Sequence, residues 1–152
     1  MEPGRSVFPL GNVSLGWVVY YLYPGTSAAK PAPGREGPLE DAVEHQAFRD
    51  HQDEFQELGV RTLGISSQSE REQKETVTEN MLSHPMVTDS GLGLAERLGL
   101  PTFEHASRRW FRRLTLLAYG GEIRWVFYPV ARPALQPWQI ISWLEHQGGA
   151  GH

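Results

Sequence analysis

Residues 39–66 read LEDAVEHQAFRDHQDEFQELGVRTLGIS, and the fold class turns on this stretch. Val43, Ala47, Phe48, Phe55 and Leu58 recur at spacings of about three, four and seven, so they share one face of a helix predicted over Leu39–Leu58. Glu40, Asp41 and Glu44 occupy its first turns, where the helix dipole favours acids, and Gly59 supplies the stop. Val60–Ser66 then has the β-branched content of a strand. Upstream, Trp17–Tyr23 (WVVYYLY) is a continuous apolar and aromatic run ended by Pro24-Gly25, as in a central strand buried on both faces. Strand, helix and strand in this order are the start of a parallel sheet.

Working outward, residues 24–38 are rich in Pro, Gly and Ala without hydrophobic period, which predicts a long mobile insertion in preference to a lid. After the second strand, Ser69-Glu70-Arg71-Glu72 has capping-box spacing and opens a polar helix to about Leu82. A short strand follows at Met86–Thr88, then a helical turn at Leu94–Leu98 that Gly99 and Pro101 end. Leu114–Tyr119 and Ile123–Tyr128 flank Gly120-Gly121-Glu122 and predict a tight hairpin. Trp138–His146 closes the order as an amphipathic helix with Ile141 and Leu144 inward, stopped by Gly148-Gly149. The expectation is one domain over residues 1–147 and a disordered tail at 148–152. Its fold class is α/β, a thioredoxin-like mixed sheet with helices on both faces.

Composition removes whole classes of function. The 152 residues contain no cysteine, which excludes disulfides, thiolate metal sites and thiol redox catalysis. A formal charge of −4 gives nucleic acid no overall attraction. The six histidines show neither HxH nor HExxH spacing, so no metal is expected. Gly91-Leu92-Gly93 lacks the Gly-Lys and the strand context of a phosphate loop, and no cofactor is expected. Trp17–Leu22 is too short to span a bilayer, and Met1–Arg5 does not open a basic-plus-apolar leader. The expectation is a soluble, cytoplasmic protein that binds neither nucleic acid nor membrane.

Several segments, in order, resemble the AhpC/TSA peroxiredoxins, the bacterioferritin-comigratory group in particular. They are Tyr23-Pro24, Ala47-Phe48-Arg49-Asp50, Gly64-Ile65-Ser66-Ser67-Gln68, Leu100-Pro101-Thr102-Phe103-Glu104, Arg113–Leu117 and Val126–Val130, spread over Trp17–Leu144. The resemblance implies the peroxiredoxin form of the thioredoxin-like fold, with the N-terminal hairpin shortened. It also implies that the peroxidatic cysteine position falls on or near Asp41 and the second cysteine on Gln46, while Pro38 stands where a Thr or Ser usually precedes the nucleophile. Arg113 matches the family's active-site arginine. A thiolate attacks the peroxide in that family, and no side chain here replaces it.

Candidate site residues follow from this comparison and from spacing. Asp41 near a helix N-terminus, facing Arg113, has two reasons to stay ionised; a structural ion pair is the preferred account. His45, four residues on, shares the helix face of Asp41 and is a candidate imidazole oriented by a carboxylate, although solvated helix surface is the plainer expectation. Gln46 and Trp110 complete a candidate ligand-binding set. Arg108-Arg109-Trp110-Phe111-Arg112-Arg113 is the densest basic and aromatic run, with Arg108 and Arg109 expected to serve solubility. Trp110, Trp125, Trp138 and Trp143 are core or dimer-interface candidates.

Three readings of function remain, ranked in the order given, because an arginine kept at position 113 favours the first over the second. The first reuses the pocket for a non-redox small molecule, held or acted on by Asp41, His45 and Arg113. The second is a pseudo-peroxidase working through protein contacts as a homodimer or accessory subunit. The third, a peroxidase with its cysteines engineered away, ranks last, because Asp and Gln are unusual replacements and the preceding Thr is lost as well.

Overall fold

The computed structural model describes residues 16–26 and 38–149. Five strands form the main sheet in the order β3-β2-β1-β6-β7. These are β1 (Trp17–Leu22), β2 (Val60–Ser66), β3 (Met86–Thr88), β6 (Leu114–Tyr119) and β7 (Glu122–Phe127). β1, β2 and β3 run parallel, whereas β6 and β7 are antiparallel, so the sheet is mixed. The helices are α1 (Pro38–Asp50), α2 (Gln52–Glu57), α3 (Glu70–Asn80), α4 (Gly93–Leu98) and α5 (Gln136–Gly149). A second, two-stranded sheet pairs β4 (Thr102–His105) with β5 (Arg108–Phe111).

β1 divides the core. Its side chains alternate, sending Val18, Tyr20 and Leu22 to one face with Leu94 and Ala95 of α4 and Phe111 of β5. Val19, Tyr21 and the following Tyr23 go to the other face, against Phe48 of α1, Phe55 of α2 and Ile140, Ile141 and Leu144 of α5. Both faces of β1 are therefore covered, which is why this strand reads as an unbroken apolar run.

Three local expectations need correction. The helix expected over Leu39–Leu58 is two helices that part at His51. His51 Nδ1 donates to the Ala47 carbonyl at 2.8 Å and Gln52 Nε2 to that of Phe48 at 2.9 Å, so side chains compete for carbonyls at the bend. Past the bend, Leu58 leaves the apolar face and is 39% exposed. The β4–β5 hairpin was not anticipated, because its turn residues Ala106 and Ser107 both take left-handed backbone (φ 54° and 63°) without the usual Gly or Asn. α5 begins at Gln136 and runs through Gly148 and Gly149, past the expected stop.

Other features match. Ser69 accepts from the Glu72 amide and Glu72 from the Ser69 amide, a complete capping box. Gly120 and Gly121 both have positive φ in the β6–β7 turn. The N-terminal hairpin expectation lies in residues 1–15, most of the expected insertion in 27–37, and the last three residues of the expected tail in 150–152, all outside the described residues. Among the described residues no helix is long and apolar enough to cross a membrane.

Candidate functional site

The N-terminal turn of α1 and the segment entering β6 meet at a buried ion cluster. Arg113 precedes β6 and its side chain has no exposed surface. Its Nη2 donates to Asp41 Oδ1 at 2.6 Å and its Nη1 to Glu44 Oε1 at 2.5 Å. Asp41 and Glu44 lie three residues apart on α1, the spacing that puts both on one helix face. Asp41 Oδ2 also accepts from the Gly25 amide at 3.1 Å, which ties the segment after β1 to the cluster. The guanidinium thus spans two carboxylates, and buried groups so arranged are strongly interdependent.

Asp41 and Arg113 meet as expected from the sequence, and Glu44 joins them as a third, unexpected member. A signal was present, since Glu44 lies one turn beyond Asp41 and shares its side of the helix.

His45 is not on solvated surface, as the plainer reading had it: it is 1% exposed. Nor is it oriented by Asp41. Its Nδ1 is 2.9 Å from the Tyr21 hydroxyl, and that hydroxyl is 2.8 Å from His84 Nε2. Its ring stands perpendicular to Tyr23, with centroids 4.3 Å apart. Burial pulls the His45 imidazole down to about 3, with Arg113 and His84 adding to the effect, and burial pulls His84 down to about 4. Burial pushes the Tyr21 and Tyr23 phenols up. All four rings are neutral at neutral pH.

Beside the cluster lies a cavity of about 330 Å³ with Tyr23, Asp41, His45, Thr76 and Asn80 in its wall. Gln46 and Trp110 are not in that wall. Gln46 is exposed and donates to Asn80 Oδ1 at 3.2 Å. Trp110 is buried on β5, where its indole N–H donates to the His105 carbonyl at 2.9 Å and the Arg108 guanidinium lies 4.2 Å over its ring.

The basic run does not act as one anion site. Arg108 forks onto Glu72 at 3.1 and 3.2 Å, and that hydrogen bonding holds the Glu72 carboxyl below its ordinary range. Arg109 donates to Thr102 Oγ1, and Arg112 stacks over Phe103. Among the described residues no group of three or more His, Asp or Glu is arranged to hold a metal ion.

Comparison with solved structures returns the peroxiredoxin fold. The bacterioferritin comigratory protein of Xanthomonas campestris, a protein with alkyl peroxide reduction activity, superposes with a TM-score of 0.70 at 18% identity, over 88% of this chain and 81% of its own. Peroxidoxin BcpB of Mycobacterium tuberculosis gives 0.71 at 21% identity, over 88% and 80%. AhpC of Enterococcus faecalis gives 0.65 at 19%, over 90% and 79%. No curated protein matches. At these identities the structures establish the thioredoxin-like fold alone. The sequence model of the AhpC/TSA family, however, matches residues 42–126, from the first turns of α1 almost to the end of β7. With more than half of its length matched, this chain belongs to the AhpC/TSA family, as a divergent member with no cysteine in its sequence.

Proposed function

We propose that this protein is a pseudo-peroxidase: an AhpC/TSA domain that acts through protein contacts, as a homodimer or accessory subunit. The observation that carries the reading is the closure of Arg113. In the family resemblance this arginine serves a thiolate and a peroxide. Here its two Nη atoms are bound by Asp41 and Glu44, and none of its side chain is exposed. A carboxylate at the nucleophile position has no oxidisable sulfur, so the atom that would accept the peroxide oxygen is missing. A coupled assay with thioredoxin or glutaredoxin as reductant should give the background rate with hydrogen peroxide and with an alkyl peroxide. Turnover above background that Asp41→Asn or Arg113→Lys abolishes would refute the proposal.

The exposed aromatic surface supports the contact role. Trp138 is 60% and Trp125 50% exposed, with Val126, Tyr128 and Leu135 also exposed nearby in sequence. β7 is an edge of the main sheet, and it meets α5 where Trp125 stacks on Trp143 at 5.7 Å. An edge strand leaves alternate amides and carbonyls unpaired, and antiparallel pairing with its own copy about a two-fold axis would satisfy them. Sedimentation at micromolar concentration should show a dimer, and the Trp125→Ser, Trp138→Ser double variant should move it toward monomer. A wild-type protein that sediments only as monomer removes the homodimer from this reading. A cytoplasmic location belongs to the same proposal and is checked by cell fractionation.

One observation favours a second reading, a non-redox small-molecule site. The cavity of about 330 Å³ is lined by two buried polar side chains, Asp41 and His45, and Arg113 would act there by holding Asp41 in place. Native mass spectrometry should then reveal a bound compound that His45→Ala releases. An unliganded mass from freshly purified protein would count against it.

A further inference from the structure

Tyr21 lies at the centre of a buried chain that the proposed function does not use. Its hydroxyl oxygen is 2.9 Å from His45 Nδ1 and 2.8 Å from His84 Nε2, and these residues come from β1, α1 and the loop before β3. The phenol ring is clamped by stacking on Phe48, with centroids 4.0 Å apart and planes 7° from parallel. Gly64 makes room on the other side: a Cβ there would stand 2.9 Å from Tyr21 Cζ and 2.6 Å from Met86 Sδ. The outer nitrogens, His45 Nε2 and His84 Nδ1, are buried and have no hydrogen-bond partner among the described residues. Two unmatched polar atoms of this kind cost stability and are not needed for packing.

We propose that His45, Tyr21 and His84 form a proton relay joining the cavity beside Asp41 to the cleft between α3 and β3. His45 is in the wall of the first and His84 in the wall of the second. Proton counting sets the rule. A phenol has one hydrogen, and each neutral imidazole has one N–H. With the Tyr21 proton directed at one of the two rings, at 2.9 or 2.8 Å, and not at Met86 Sδ at 3.5 Å, that ring accepts and the other donates. If Tyr21 donates to His45 Nδ1, then His45 carries its proton on Nε2, and His84 donates from Nε2. If His45 donates from Nδ1, Tyr21 donates to His84 Nε2, and His84 carries its proton on Nδ1. Both rings therefore hold the same tautomer in either state.

Passage between the states balances. A proton added at His45 Nε2 displaces the Nδ1 proton onto Tyr21 oxygen, the phenol proton moves to His84 Nε2, and the His84 Nδ1 proton leaves. No charge stays inside. That suits a site where burial holds both imidazoles and the phenol neutral. The charged groups around the His45 end are Asp41, Glu44 and Arg113, already joined to one another, with the neutral Tyr23 phenol against the ring. Whatever favours the Nε2–H tautomer of His45 would thus leave His84 Nδ1 an acceptor, and whatever favours the Nδ1–H tautomer would make it a donor.

The test is side-chain nitrogen NMR on histidine-labelled protein at pH 7. The fraction of Nε2–H tautomer on His45 should equal that on His84, and Tyr21→Phe should abolish the equality. Opposite majority tautomers in the wild-type protein would overturn the relay: either both rings would donate to Tyr21, leaving its proton for Met86 Sδ at 3.5 Å, or both would turn lone pairs toward it and one contact would not be a hydrogen bond. A charged imidazole at either position would overturn it too. So would a folded Tyr21→Phe variant with both tautomer fractions unchanged. The wild-type spectrum decides the question even if that variant does not fold.

Discussion

Arg113→Met should destabilise the protein by about 3–5 kcal/mol, the range for removing one partner from a buried ion pair. The reason is the uneven charge of the cluster. One guanidinium faces two carboxylates, and all three side chains are buried or nearly so. Removing the cation leaves Asp41 and Glu44 three residues apart on one helix face, shielded from water and repelling each other. Glu44→Gln should cost far less, about 1 kcal/mol or under, because an amide oxygen still accepts from Nη1 while Asp41 and Arg113 remain a neutral pair. Urea denaturation read by tryptophan fluorescence gives both values, provided the slope stays constant across variants. An Arg113→Met variant within about 1 kcal/mol of wild type would mean that the cluster is solvated, contrary to the geometry.

That cluster also shows how far residue patterns alone reach. Asp41 and Arg113 were legible together because the resemblance put them on facing elements, and the helix start and the β6 start do converge. Glu44 was missed because an acid in a first turn has a sufficient local explanation in the helix dipole. His45 was misplaced for a related reason. Spacing on a helix shows which residues share a side, but not whether that side meets solvent or a sheet, and a histidine among Glu44, Gln46 and Arg49 looks like surface. Only Tyr21 of β1 and Tyr23 just after it, whose rings meet His45, show that this side is covered.

The main sheet was readable where chemistry and period agreed. β1 is an apolar run closed by Pro24-Gly25, β2 is a strand with β-branched content that follows Gly59, and the β6–β7 turn carries the Gly-Gly that left-handed backbone favours. The β4–β5 hairpin broke that agreement, with Ala106 and Ser107 taking the left-handed positions. Its strands also lie outside the main sheet, so no alternation with a helix announced them. Likewise the break at His51 has no Pro or Gly to mark it. Side chains bonding to backbone carbonyls bend the helix there, and such competition leaves little trace in hydrophobic period.

Stability should fall steeply on mild acidification, and His45 and His84 should account for most of the loss between pH 6.5 and 5. In the unfolded chain both imidazoles titrate near 6.5. In the folded protein His45 resists protonation until about 3 and His84 until about 4. Between those limits the unfolded chain binds protons that the folded chain refuses, so protonation draws the equilibrium toward unfolding. Stability is therefore complete above about pH 7 and declines as pH falls, by up to about 1.4 kcal/mol per pH unit for each histidine once well below 6.5. From pH 7.5 to 5 the two together should remove roughly 4 kcal/mol at most. His84→Gln should about halve the slope over pH 5–6.5, and the double variant with His45→Gln should nearly flatten it, even though both variants begin less stable. Carboxylates contribute mainly below pH 5, so the chosen window isolates the imidazoles. Urea midpoints measured at half-unit steps would show the effect. An unchanged slope in the double variant would mean that neither ring is held neutral by burial.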